Sequence, residues 1–193
     1  MEYSISIRIN FSETINKIIK KEKERFVSEY GSKYKSEPHI TLYLTRYTLS
    51  RNTRDSFSEL IQNLQKLSLK PFEISFLNPK VIIEKDRHRN LYVVDVSNKE
   101  RLQELRGEVY DVAARYRSNL LGEGEERGKE LEPHITIGEI DFDKPQAEIA
   151  DVQSNLKQIV GEKIVVSNLV VFFYIKEPGE ESARLLEEVI VSF

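Results

Sequence analysis

The sequence predicts a pseudo-symmetric α+β domain, and three observations carry that prediction. Hydrophobic periodicity switches repeatedly between two and about 3.6 residues, so strands alternate with helices along the chain. The pentapeptide Glu37-Pro38-His39-Ile40-Thr41 recurs unchanged as Glu132-Pro133-His134-Ile135-Thr136. Each copy follows a strand and a helix and opens a new strand, so the repeat is architectural as well as literal. Two units are too few for a solenoid, which leaves an internally duplicated α+β domain.

Tyr3 to Ile9 alternates strictly, a strand with Ile5, Ile7 and Ile9 on one face and Ser4, Ser6 and Arg8 on the other. Ser12 offers an N-cap, and Glu13 to Phe26 carries Ile15, Ile18, Ile19 and Phe26 as a helix. After a loop around Gly31, His39 to Leu44 predicts a second strand. Arg54 to Leu67 is helical through Phe57, Leu60, Ile61 and Leu64, and Pro71 ends that segment. Phe72 to Ile83 and Leu91 to Val96 are strands joined by the polar stretch Glu84 to Asn90. Ser97 to Tyr116 is the longest predicted helix, with Leu102, Leu105, Val109 and Val112 on one stripe. Leu121 to Glu130 is rich in glycine and charge, a mobile loop whose acidic part, Glu123 to Glu130, is expected to be solvated, with a lid before the second motif as the sharper reading. His134 to Ile140 predicts a strand and Pro145 to Val160 a helix. Strands Lys163 to Lys176 and Arg184 to Phe193 then flank a Pro178-Gly179 turn.

Composition narrows the function classes. With 39% hydrophobic and 32% charged residues, the 193-residue chain is an ordinary folding sequence and needs one substantial core. It has no cysteine, which excludes disulfides, thiolate catalysis and cysteine-held metal. No apolar run approaches a membrane span, and the N-terminal residues lack the basic and apolar regions of a secretory leader. A cytoplasmic monomer without membrane contact is therefore expected. The formal net charge is -3, from 29 Lys+Arg against 32 Asp+Glu. Proteins that track along duplex nucleic acid carry a basic excess, so a nucleic-acid partner here should be short or held by its end.

Alternation along a strand puts His39 and Thr41 on one face, and likewise His134 and Thr136. Ile40, Leu42 and Leu44, with Ile135 and Ile137, then belong to the core face beneath the helices. If the halves pack about a pseudo-twofold axis, both pairs face one cleft. A phosphodiester suits such a site. One neutral imidazole takes a proton from the attacking oxygen, and one protonated imidazole gives a proton to the leaving oxygen. The threonine hydroxyls can donate to the non-bridging oxygens as charge develops. Nothing in this set matches zinc-ligand spacing, and no Gly-rich phosphate loop is present, so neither metal nor cofactor is expected.

Two His-x-Thr strands half a chain apart in a duplicated α+β protein resemble the 2H phosphoesterase superfamily, and within it the 2'-5' RNA ligase-like, 2',3'-cyclic phosphodiesterase branch. The resemblance spans the element order of the whole chain, but only the two pentapeptides are specific. It implies a bilobal fold, with lobes of about 1–85 and 86–193, antiparallel or mixed strands forming a concave central cleft, and helices outside. It also implies hydrolysis of 2',3'-cyclic phosphates on RNA ends or nucleotides, giving a 2'-phosphate. His39, Thr41, His134 and Thr136 carry over as its catalytic set. Alternatives within reach of the same residues are 2'-5' end joining, a non-catalytic RNA-end binder, and hydrolysis of a non-RNA cyclic phosphodiester. The strands continue as Leu42-Tyr43-Leu44-Thr45 and Ile137-Gly138-Glu139-Ile140, without the basic residues that well-known members often place there.

Four further residues are candidates for substrate binding. Arg8 is assigned to the cleft as a phosphate contact, the alternative being an exposed strand-end arginine. Tyr43 falls on the His39/Thr41 face by alternation and is a candidate to stack a base, or else cleft-wall packing. Tyr174 and Lys176 share a face of the last long strand. The Arg87-His88-Arg89 turn is expected to be a solvated hairpin tip, with RNA guidance by its arginines as the sharper reading.

Overall fold

The computed structural model describes residues 2–33, 36–48, 53–116, 132–177, 179 and 183–193. Eight strands form one open sheet: β1 (Glu2–Ile9), β2 (Ile40–Thr48), β3 (Phe72–Glu84), β4 (Arg89–Val96), β5 (His134–Asp141), β6 (Lys163–Val166), β7 (Asn168–Lys176) and β8 (Arg184–Ser192). Their order across the sheet is β6-β3-β4-β5-β2-β1-β7-β8, and each neighbouring pair is antiparallel. Among the described residues four α-helices accompany it: α1 (Glu13–Tyr30), α2 (Thr53–Gln65), α3 (Lys99–Ala113) and α4 (Ile149–Leu156). The fold is the α+β architecture that the sequence predicts. The loop expected at 121–130 and Pro178 lie outside the described residues.

The order is symmetric about its centre, where β5 and β2 carry the two pentapeptides. Among the described residues they pair only at Ile40 and Ile135, so the sheet is thinly joined at the middle. The halves interleave along the chain, because β7 and β8 return to pair beside β1 while β3 to β6 form the other side. The helices cross over: α1 leaves β1 and packs on β5, and α3 leaves β4 and packs on β2. Each half thus covers the motif strand of the other.

Core residues follow from local pattern. Ile5, Ile7 and Ile9 are all buried, and Ile15, Ile19 and Phe26 meet them from α1. Burying each such side chain contributes roughly 1.5–3 kcal/mol. The helix runs one turn past its predicted end. Gly31 stops it at φ 66°, a left-handed conformation that costs glycine little, while Ser32 N–H closes on the Phe26 carbonyl. The predicted strand 163–176 is divided: β6 ends at Val166 and β7 starts at Asn168, because the two lie on opposite sides of the sheet.

Alternation fails at one matched place in each half. In β2, Ile7 pairs with Tyr43 and Arg8 with Thr41, leaving Leu42 as an extra residue. In β5, Tyr92 pairs with Gly138 and Val93 with Thr136, leaving Ile137 extra. Both are β-bulges three residues after the motif histidine, and a bulge turns the following side chains to the opposite face. Leu42 and Tyr43 are therefore both buried, and so are Ile137 and Gly138. Leu44, expected in the core, is 65% exposed.

Candidate active site

Each pentapeptide builds its own histidine mount. Proline restricts the preceding glutamate to extended backbone, which aims that residue's carbonyl back along the entry to the strand. The Glu37 carbonyl lies 2.6 Å from His39 Nδ1, and the Glu132 carbonyl 2.7 Å from His134 Nδ1. A carbonyl only accepts, so both Nδ1 atoms carry the hydrogen and both Nε2 atoms are left to exchange protons. The glutamate carboxylates anchor these entries. Glu37 pairs with Lys20 at 2.7 Å, and Glu132 with Lys80 and Lys99 at 2.9 Å each.

Thr41 pairs across β1 with Arg8, and Thr136 across β4 with Val93, whose neighbour on β3 is Lys80. These residues share the face away from the isoleucines, so the two His-x-Thr pairs flank the thin seam between the halves. A charge on His134 disfavours one on His39. His39 is buried and its pKa is lowered to about 4, first by burial and then by the Arg8 guanidinium, with Lys23 and His134 adding to this against the Glu37 carbonyl. His134 is half-buried and also falls below its ordinary value. Burial leads there, Lys80 and Arg106 add to it, and the Glu132 carbonyl opposes it. The expectation of one charged imidazole thus changes: both are driven toward neutrality until an anion arrives.

Arg8 lies on the same face of the sheet as Thr41, with which it pairs. Its Nε donates to Ser6 Oγ at 2.6 Å, and its guanidinium lies 4.7 Å from the Phe172 ring centroid and 6.0 Å from that of Tyr174. Tyr174 shares that face, with its ring stacked on Phe172, and Lys176 follows at the strand end opposite Glu2. Tyr43 is not beside Thr41. The bulge at Leu42 turns it into the core, where it is 6% exposed and meets Tyr110 edge-on. The 87–89 turn stands at the far end of β4, six residues or about 20 Å from the residue facing His134. Arg89 there is held by Glu84 and Glu139, and the His88 ring rests on Phe142.

Three cations near the motifs escaped the sequence reading. Lys80 lies within a strand beside a proline, and nothing local marks it. Lys23 and Arg106 occupy the buried stripes of α1 and α3, and that was their signal: a cation at a position where the helical period calls for an apolar residue.

The sequence model of the 2'-5' RNA ligase superfamily matches residues 15–172, most of the chain and both motifs. The chain belongs to that superfamily. It is therefore a 2H phosphoesterase, as its two His-x-Thr strands suggest. The solved structures it resembles agree in fold. A phosphoesterase structure superposes with a TM-score of 0.61 at 12% identity, covering 98% of this chain and 99% of that one. Escherichia coli LigT complexed with 3'-AMP gives 0.57 at 12%, covering 99% of each chain. The TT0787 protein of Thermus thermophilus gives 0.61 at 15%, covering 97% of each. No curated protein matches by sequence. Phosphoester chemistry is the coarse activity that family membership supports, and among the described residues no helix is long and apolar enough to cross a membrane.

Proposed function

We propose that this protein is a metal-independent phosphodiesterase that opens 2',3'-cyclic phosphates on RNA ends or nucleotides. The observation that carries this reading is the pair of His-x-Thr strands at the sheet centre, each histidine holding its Nδ1 hydrogen on a backbone carbonyl. That leaves two Nε2 atoms for one acid and one base. His39 is the base: it is the more buried imidazole, and the Arg8 and Lys23 charges keep it neutral. His134 is the acid. It is the more open of the two, and the incoming phosphate anion restores its proton.

In the proposed step, His39 Nε2 takes a proton from water as the water oxygen bonds to phosphorus. The bond from phosphorus to the 3' oxygen breaks, His134 Nε2 protonates that oxygen, and a 2'-phosphate remains. The Thr41 and Thr136 hydroxyls donate to the non-bridging oxygens, with Arg8 and Lys80 on either flank. The resemblance to Escherichia coli LigT complexed with 3'-AMP supports a nucleotide-sized substrate. The net charge of -3 favours RNA ends over long tracts.

The test is incubation with 2',3'-cyclic nucleotides and a short RNA ending in a cyclic phosphate, in EDTA, beside His39→Ala and His134→Ala. Conversion to a 2'-phosphate that both variants lose supports the reading. No conversion of any substrate, with RNA still bound, would replace it with a binding role.

A further inference from the structure

We propose that Lys23 is a positioning residue of this site, holding β5 at its bulge so that the Thr136 hydroxyl is presented to the substrate phosphate; this rests on the phosphodiesterase reading above. Lys23 lies on the buried stripe of α1 with Ile15, Ile19 and Phe26, and is only 4% exposed. Lysine is among the residues least often buried, and its ammonium loses hydration there. A side chain that merely filled this space would be better as methionine.

The ammonium instead meets the motif. Lys23 Nζ donates to the Thr136 carbonyl oxygen at 3.2 Å. Thr136 is the last paired residue before the extra Ile137, the point where the ladder is interrupted and the strand's direction is least constrained. One turn further along α1, Phe26 is pressed against Gly138, so the helix grips β5 on both sides of the bulge. The Lys23 charge also reaches His39, Arg8 and Glu37, which places it behind the seam between the two motif strands.

The other half places a cation at the matching position. Arg106, 9% exposed, lies one turn before Tyr110 on α3, and Tyr110 packs on Tyr43. Tyr43 and Gly138 hold the same place, four residues after the motif histidine. Each half therefore sets a buried cation one turn ahead of the aromatic that covers the other half's bulge. Arg106 in turn bears electrostatically on His134. Chance placement of a single lysine does not account for that correspondence.

The experiment is a double-mutant cycle with Lys23→Met and Thr136→Val, read as kcat and KM on a 2',3'-cyclic nucleotide and as affinity for inorganic phosphate. Lys23→Met should lower kcat/KM by about 10- to 100-fold, the scale of a small misplacement of a reacting group. In the Thr136→Val background the same substitution should change little, because the group it positions is gone. Lys23→Arg should recover part of the loss. Activity of Lys23→Met within twofold of wild type, equal losses in both backgrounds, or failure of every Lys23 variant to fold would each overturn the proposal. If the wild type turns over no cyclic phosphate, the functional reading falls and the phosphate affinities carry the same cycle. No phosphate binding by the wild type would overturn both.

Discussion

A buried lysine writes a signature into the pH dependence of stability, and here its size follows from the structure. The pKa of Lys23 falls from 10.5 to about 7, chiefly through burial, with Arg8 adding to the shift and Glu37 opposing it. Below 10.5 the unfolded chain binds a proton that the folded chain surrenders once pH exceeds 7. Stability is therefore highest above the unfolded value and is lost as pH falls through the folded one. Each pH unit is worth about 1.4 kcal/mol, so the whole drop amounts to about 5 kcal/mol. Between pH 7 and 9.5 the wild type should gain about 3 kcal/mol. Lys20, Lys99, Lys163 and Tyr92 are raised beyond their ordinary values, and both motif histidines and the Asp95 and Glu132 carboxylates are lowered, all shifts away from that window. Lys23→Met should abolish the rise. It forfeits the bond to the Thr136 carbonyl, about 1–3 kcal/mol, and should still be more stable than wild type at pH 7 by about 2–4 kcal/mol. Urea unfolding of both proteins at half-unit steps from pH 7 to 9.5 measures this directly. A flat wild-type profile, or a rise that survives in Lys23→Met, would refute the reasoning.

Three further outcomes follow from the site. For kcat/KM, the base His39 must be neutral and the acid His134 protonated, and both have lowered pKa values, so activity should peak on the acid side. It should fall as pH rises toward the ordinary imidazole range and again as pH drops toward 4; a maximum at pH 8 in a pH–rate series would refute the pairing of these two imidazoles as acid and base. Arg8→Met removes the second cause of the His39 shift, so the His39 titration followed by NMR should move upward while kcat/KM drops; an unmoved titration would separate Arg8 from the site. Gly138→Ala places a Cβ 2.8 Å from Phe26 Cγ and in overlap with Cδ1, and should cost about 1–3 kcal/mol in denaturant unfolding. Phe26→Leu in the same chain should return part of that loss if the clash is the cause.

Much of this molecule was legible before any coordinates. Strict alternation gave β1, helical spacing gave the buried stripes of α1 and α3, and the repeated pentapeptide gave two matching motif strands. His39, Thr41, His134 and Thr136 could be matched in pairs from the letters alone, because duplication is visible there. The face of Arg8 followed from its parity, because β1 alternates without a fault.

Tertiary structure decided what parity could not. Leu44 and Tyr43 were placed on the wrong faces because bulges at Leu42 and Ile137 break the period of two. The trace they leave is an apolar or side-chain-free pair, Leu42-Tyr43 and Ile137-Gly138, where a polar residue should alternate. The interleaving of the halves and the crossing of α1 onto β5 were also beyond the sequence, since they join segments more than a hundred residues apart, as in the bond from Lys23 to Thr136. The same holds for what makes the two histidines differ. The pentapeptides are identical, so nothing local distinguishes them; their burial and the cations of other strands and helices do, because charge acts through space and not along the chain.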